Sequence, residues 1–200
     1  MKRVLALLVA AGCTGSVGGT TGGGGGGGGD PQGMGPDAGP TVVESVARGQ
    51  LWVDAKVPYC QAPNHQPDHD TACASTCTRP DVAEWDPYRS DCSGFVSWAW
   101  NLPAPGRVTS TFAPFKMDIT SVINAADLAP GDAVNNSTHM MLFVGWETPG
   151  TRATFMEEPG CSSTEPYARE FTADVTIDMT SITVLHHGTF TAIRYPDAPK

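Results

Sequence analysis

The sequence predicts an α+β domain in which N-terminal helices pack on one face of a central antiparallel β-sheet. Apolar residues recur at helical spacing in the first part of the domain, over residues 42–55 and 92–102, whereas alternating strand patterns begin after residue 127. A run of helices followed by a run of strands is typical of this fold class.

The first 13 residues are interpreted as an export signal that precedes the folded domain. Lys2 and Arg3 form its basic start, and the apolar stretch Val4–Ala11 is too short to span a bilayer. Small residues then precede Cys13, a pattern that resembles the lipobox of bacterial lipoproteins. This resemblance implies a lipid anchor on Cys13 and a location in the cell envelope, on the periplasmic or cell-surface face of a membrane. An ordinary signal peptide with an incidental cysteine is the alternative.

Residues 14–41 are interpreted as a flexible tether. They are rich in Gly, Thr, Ser, Pro and Asp, and they include eight consecutive glycines, Gly22–Gly29. A phosphate-binding glycine loop is excluded, because no strand precedes the run and no Lys-Ser/Thr pair follows it. The remaining residues, 42–200, are enough for one globular domain.

The net charge of the chain argues against a nucleic acid as a partner. The chain of 200 residues has a formal net charge of −9 and no basic cluster, which is unlike a nucleic-acid-binding protein. With the glycine loop excluded, we also expect no cofactor. The expected partners are a peptide substrate and a membrane that holds the lipidated Cys13.

Four of the six cysteines are candidates for two disulfides in an exported domain. Spacing does not choose among the pairings of these four residues, which are Cys60, Cys73, Cys77 and Cys161. A zinc site is the alternative, because four further possible ligands lie among them: His65, Asp68, His69 and Asp70. Their order and spacing fit no paired-ligand pattern, so we expect no metal.

The first helix is predicted over Val42–Ala55, and Pro58 lies just beyond its end. Residues from about 60 to 87 have a different composition, rich in Pro, Asp, His, Thr and Cys. They predict an irregular insertion that is stapled by disulfides.

A cysteine follows at the start of the second helix. Asp91 is a good N-cap residue, and apolar positions recur from Phe95 to Trp100, so Cys92 falls in the first turn. A helix N-terminus favours thiolate over thiol and offers backbone N–H groups to an oxyanion. The alternative is a small buried cysteine with no chemical role.

The strand patterns begin after the turn at Pro130–Gly131. A strand is predicted over His139–Trp146, and a hairpin leads to its partner over Thr151–Glu157. Two later alternating stretches, Val175–Met179 and Thr189–Tyr195, complete the antiparallel sheet.

A nucleophilic cysteine needs an imidazole nearby and a polar group that orients the imidazole. His139 is the best candidate for the base, because it opens an apolar strand. Strand alternation lets Glu157 point to the side of the sheet to which His139 points, whereas Glu158 points away. Asp91 is explained by helix capping alone.

The order of these motifs resembles the NlpC-like family of papain-fold cell-wall cysteine peptidases. The resemblance is carried by Asp91–Val96, by Leu128–Asp132 and by His139 at the head of an apolar strand. Pro58–Tyr59 matches the family's upstream Pro-Tyr pair, and Glu157 matches its third polar position. That position usually holds His, Asn or Gln in the family, and the glycine pair that commonly follows the tyrosine is replaced here by the Cys-rich insertion.

The resemblance implies a papain-like fold and hydrolysis of amide bonds in peptidoglycan stem peptides, of the D-glutamyl-diaminopimelate type. Cys92 would be the nucleophile, His139 the acid and base, and Glu157 the group that orients His139. Backbone N–H groups around Cys92 and Ser93 would receive the oxyanion, with Tyr59 nearby. The alternatives are a non-wall amidase or an acyltransferase on the same scaffold, and an inactive lipid-anchored binding protein.

Overall fold

The computed structural model describes residues 43–199. The predicted signal and tether, and with them Cys13, lie outside the described residues. The helices are α1 (Glu44–Ala55) and α2 (Cys92–Ala99), and the strands are β1 (Ser121–Val122), β2 (Ala133–Asn135), β3 (Met140–Thr148), β4 (Arg152–Glu157), β5 (Arg169–Asp178), β6 (Ser181–Val184) and β7 (Gly188–Arg194). None of the helices in this range is both long and apolar enough to cross a membrane.

The strands form a closed barrel. Each strand from β2 to β6 pairs antiparallel with the next strand along the chain. The last strand, β7, also pairs with β2, which closes a ring of six strands. β1 pairs with the last residues of β7, beyond the part that pairs with β6.

This closure corrects the predicted fold class. The expectation of a papain-like α+β fold, with N-terminal helices packed on one face of a central antiparallel sheet, is wrong. Closure depends on the pairing of β7 with both β2 and β6, which are distant from each other in the sequence. The alternation of apolar and polar residues is the same in an open and a closed antiparallel sheet, so the sequence pattern could not separate the two.

Two apolar clusters lie on the two sides of the barrel wall. The inner cluster draws on all six strands of the ring and includes Met141 and Phe143 of β3. The outer cluster joins α1 and α2 to the other face of the wall, and it includes Met140 and Leu142 of β3. Successive side chains of β3 therefore point alternately into the outer and the inner cluster. The outer cluster holds the helices against the outside of the barrel.

Aromatic packing joins the two helices. Trp52 of α1 is fully buried and stacks on Trp98 of α2, with ring centroids 5.7 Å apart. Gly49 lets α1 approach closely, because a Cβ atom there would lie 3.1–3.2 Å from side-chain atoms of Met156, Leu142 and Phe95. This packing fixes α2, and hence Cys92, against the barrel.

The Cys-rich insertion is tied to the segment that leads into α2. The cysteines pair as Cys60–Cys77 and Cys73–Cys161. Cys60 and Ser90 exchange two backbone hydrogen bonds of 3.0 and 2.9 Å. Arg79 is 5% exposed and donates to the Ser90 hydroxyl at 2.7 Å and to carbonyl groups between residues 85 and 88. The insertion is therefore tied to the residues that directly precede Cys92.

Candidate active site

Cys92 is the first residue of α2 and is 8% exposed. It is the free cysteine among the described residues. Asp91 caps the helix, because its Oδ1 accepts a hydrogen bond of 2.6 Å from the Gly94 N–H, and its Oδ2 lies 3.1 Å from Arg89. The cap holds the first turn in place, and Cys92 with it.

Gly94 allows the chain to turn closely into α2. A Cβ atom at this position would lie 2.2 Å from the backbone oxygen of Arg89. A larger residue would therefore force the segment before Asp91 away from the helix. The glycine of the Asp-Cys-Ser-Gly motif has a steric role that places the nucleophile candidate.

A tight turn places His139 just before β3. The Asn136 side chain accepts hydrogen bonds from the backbone N–H groups of Thr138 and His139, at 2.9 and 2.8 Å. The backbone N–H of Asn136 in turn donates to the His139 carbonyl at 3.0 Å. The imidazole packs edge-on against Phe190, with centroids 6.2 Å apart. The turn fixes the backbone of His139, and Phe190 fixes the position of its ring.

His139 lies between Glu157 and Cys92. Its Nε2 is 2.6 Å from Oε2 of Glu157, and the Cys92 side chain lies near enough to the ring to raise its pKa. Burial by itself would lower the pKa of His139, but the contacts with Cys92 and Glu157 outweigh it and raise the pKa to about 9. The structure therefore brings together the three residues that the sequence singled out.

Glu157 has further partners that the sequence analysis missed. Arg169, directly opposite on β5, donates to Oε1 through Nε at 2.9 Å and through Nη2 at 2.6 Å. Nε2 of His187 lies 3.5 Å from the same oxygen. Burial opposes ionisation of Glu157, but hydrogen bonds from His139, His187 and Arg169 lower its pKa well below the usual range.

Arg169 and His187 could not be found from local sequence patterns. The predicted strand began at Val175, six residues after Arg169, and the real register pairs Arg169 with Glu157. His187 lies in the turn between β6 and β7 and stacks on Phe171, with centroids 4.3 Å apart. Only the pairing of β4 with β5 and the barrel closure bring both residues to Glu157.

Glu158 points to the other side of β4. It is completely buried, and neither of its carboxylate oxygens has a hydrogen-bond partner among the described residues. Burial, followed by the charge of Asp91, raises its pKa well above the ordinary value, although Arg79 acts in the opposite direction. The surroundings of Glu158 therefore favour its neutral form.

Tyr59 lies beside the cysteine, at the edge of the insertion. Its hydroxyl oxygen accepts a hydrogen bond of 3.0 Å from Gln61. Burial, together with the nearby charges of Cys92, Asp91 and Asp70, raises its pKa to about 12 despite the Gln61 contact. The phenol stays protonated and can donate a hydrogen bond.

Ser93 is buried, and its hydroxyl donates to Oδ1 of Asp91 at 3.1 Å. Its side chain therefore supports the helix cap. The backbone N–H of Cys92 has no hydrogen-bond partner within the described part of the chain. This N–H is available to an oxyanion, and Tyr59 is the side-chain donor that the sequence predicted for the same role.

The disulfide cysteines and the histidines of the insertion were the candidate metal ligands. Each disulfide is next to an aspartate, in the groups Cys60–Asp68–Cys77 and Asp70–Cys73–Cys161, but the bonded sulfurs are not thiolate ligands for a metal. His65 is exposed and pairs with Asp81 at 2.6 Å. A cavity of about 390 Å³ lies between Tyr59 and the two disulfides.

Comparison of the chain with protein-family models, with curated proteins and with solved structures finds no match.

Proposed function

We propose that this protein is a cysteine-dependent amide hydrolase. The observation that carries the proposal is the grouping of the free Cys92 with the His139–Glu157 pair, at the end of the barrel where β3 begins and β4 ends. A thiol, an imidazole and a carboxylate in this order form a nucleophile, a base and an orienting group.

The reaction begins from the form in which the Cys92 proton has already passed to His139, and the thiolate attacks the amide carbon. The Cys92 backbone N–H and the Tyr59 hydroxyl donate to the oxyanion of the tetrahedral intermediate. His139 then protonates the leaving amine, which leaves a thioester on Cys92. His139 next accepts a proton from water as the water attacks the thioester, and returns the proton to the departing thiolate.

Glu157 supports these steps by holding the imidazole. Because its Oε2 contacts Nε2 of His139, the other ring nitrogen, Nδ1, is free to exchange the proton with Cys92. The ionised carboxylate also stabilises the imidazolium that forms. Its low pKa keeps it ionised across the working range of pH.

We propose peptidoglycan stem peptides as the substrate class, and the link between D-glutamate and diaminopimelate as the bond. The support is the resemblance of the Asp91–Val96 and Leu128–Asp132 motifs, with His139 after them, to the NlpC-like peptidases. An anchor at Cys13 would place the domain in the cell envelope, where this substrate occurs.

The test is digestion of purified peptidoglycan with the protein and with Cys92→Ala, followed by mass spectrometry of the products. We expect new amine and carboxylate ends from the wild type and none from the variant. Products that carry the acyl group on an amine would instead indicate an acyltransferase. Full hydrolysis by Cys92→Ala, or no cleavage by the wild type, would contradict the proposal.

A second measurement separates a reactive cysteine from an inert one. Cys92 should react with iodoacetamide at neutral pH faster than an ordinary cysteine does, because a neighbouring base activates it as a nucleophile. Cys92→Ala gives the background rate, because the other four described cysteines are in disulfides. Alkylation no faster than that of an ordinary thiol would favour a binding protein with an inert Cys92.

A further inference from the structure

We propose that Arg169 is a positioning residue that holds Oε1 of Glu157 so that Oε2 faces His139. This inference rests on the proposed function, because it assigns Arg169 a role in supporting the Cys92–His139 pair. His187 adds a second, longer contact to the same oxygen.

The two oxygens of Glu157 have separate partners. Oε1 accepts both bonds from Arg169, at 2.9 and 2.6 Å, and faces His187 at 3.5 Å. Oε2 lies 2.6 Å from His139. Rotation of the carboxylate would break the two short bonds from Arg169, so the guanidinium fixes the orientation that His139 needs.

The positions of Arg169 and His187 are themselves supported by packing. Phe171, two residues along β5, stacks on the His187 ring and lies 5.7 Å from the Arg169 guanidinium carbon. The Nδ1 atom of His187 is 3.1 Å from the Leu185 carbonyl, an acceptor, so Nδ1 carries a proton. Nε2 can then donate to Glu157 only when the ring is an imidazolium.

The charge of Arg169 matters because Glu157 is buried. The carboxylate is 1% exposed, and burial favours its neutral form. The charged or titratable groups that face it are His139, Arg169 and His187, while Glu158 lies on the opposite side of the strand. Arg169 is the one of these three cations that cannot lose its proton. Without it, Glu157 would lose two of the hydrogen bonds that favour its charged form, and its stabilisation of the His139 imidazolium would weaken.

The same two strands provide a matched control. Arg152 of β4 lies directly opposite Asp174 of β5 and donates to it at 2.7 Å, as Arg169 does to Glu157 at the other end of the pair. Arg152 and Asp174 are exposed and lie away from Cys92 and His139. Loss of Arg152 therefore removes its cross-strand ion pairs with Asp174 and with Glu147 and leaves the partners of Glu157 in place.

The test measures the rate of Cys92 alkylation by iodoacetamide between pH 5 and 9 in the full chain, for the wild type and for Arg169→Gln, Arg169→Lys and Arg152→Gln. For Arg169→Gln we expect the acid limb of the profile to move up by about one pH unit, with a rate about tenfold lower at pH 6, the size of one coupling in a hydrogen-bond network. Arg169→Lys keeps the charge but not the two guanidinium donors, so its profile should fall between that of the wild type and that of Arg169→Gln. Arg152→Gln should match the wild type.

An Arg169→Gln profile that superimposes on that of the wild type, or an equal shift in Arg152→Gln, would overturn the inference. If Arg169→Gln does not fold, Arg169→Lys decides, since a wild-type profile for it contradicts the need for both donors. The assay uses no peptide substrate. A protein that alkylates as expected but cleaves no amide would therefore refute the proposed function and leave the role of Arg169 standing.

Discussion

Glu157 and Glu158 are adjacent on the chain at the end of β4, but their carboxyl groups lie in opposite environments. Glu157 contacts three cationic side chains, and its pKa is lowered. Glu158 is completely buried without a hydrogen-bond partner among the described residues, and its pKa is raised. The pleat of the strand separates the two, because successive side chains point to opposite sides. The surroundings of Glu157 favour its ionised form beside His139, whereas those of Glu158 favour its neutral form.

Replacement of Glu157 should remove most activity without unfolding the protein. In Glu157→Gln the amide keeps the shape but loses the charge that stabilises the His139 imidazolium, so we expect kcat/KM for the peptide substrate to fall by about 10²–10⁴-fold. Steady-state kinetics on the peptide products measures this. The control is Glu170→Gln, an exposed carboxylate on the neighbouring strand, which should have wild-type activity. Equal loss in both variants would contradict a specific role for Glu157.

Replacement of Glu158 should stabilise the protein at neutral pH. Because the folded-state pKa of Glu158 is raised, the folded state binds more protons than the unfolded state at pH values between the ordinary and the raised pKa, and stability falls as pH rises through that range. Glu158→Gln cannot ionise and escapes this loss. We expect its free energy of unfolding to match the wild type near pH 4 and to exceed it by about 1–3 kcal/mol near pH 8, since one pKa unit corresponds to about 1.4 kcal/mol.

Chemical denaturation at several pH values tests this prediction. A Glu158→Gln variant less stable than the wild type at neutral pH would show that the carboxyl is ionised in the folded protein and paired with the buried Arg79.

The contrast between local and distant interactions explains what the sequence could predict. Helix capping by Asp91 and the side of β4 on which Glu157 lies depend on residues within one turn or one pleat, and the sequence shows these directly. The closed barrel depends on β7, which pairs with strands that lie far from each other in the sequence. Arg169 reaches Glu157 only through the β4–β5 register, so no neighbouring residue could indicate its role.

The pairing of the cysteines also depends on distant contacts that the sequence does not show. Their number and the export signal predicted two disulfides, but spacing left three pairings open. The choice is made by the fold, because the loop after β4 carries Cys161 back to the insertion that contains Cys73.

The pKa of His139 should depend on both of its neighbours. It is raised to about 9 despite burial, with Cys92 as the larger favourable contact and Glu157 as the next. We therefore expect an NMR titration to give a lower pKa in Cys92→Ala, and also in Glu157→Gln. Because the folded-state value exceeds the ordinary value of about 6.5, the pair stabilises the fold below that pH, and this contribution is lost as pH rises through about 9. An unchanged pKa in Cys92→Ala would place the thiol out of reach of the imidazole.

The two disulfides should contribute unequally to stability. Cys73–Cys161 joins residues 88 apart, whereas Cys60–Cys77 closes a loop of 17. A cross-link over a longer loop removes more entropy from the unfolded chain, so loss of the first should cost about 4–5 kcal/mol and loss of the second about 3 kcal/mol. Denaturation of Cys73→Ser/Cys161→Ser and of Cys60→Ser/Cys77→Ser measures the two values. Cys92→Ser is the control, because it removes a thiol without opening a loop. The reverse order of costs would show that Cys60–Cys77, which closes a loop within the insertion, stabilises the protein mainly through contacts in the folded state and not by restricting the unfolded chain.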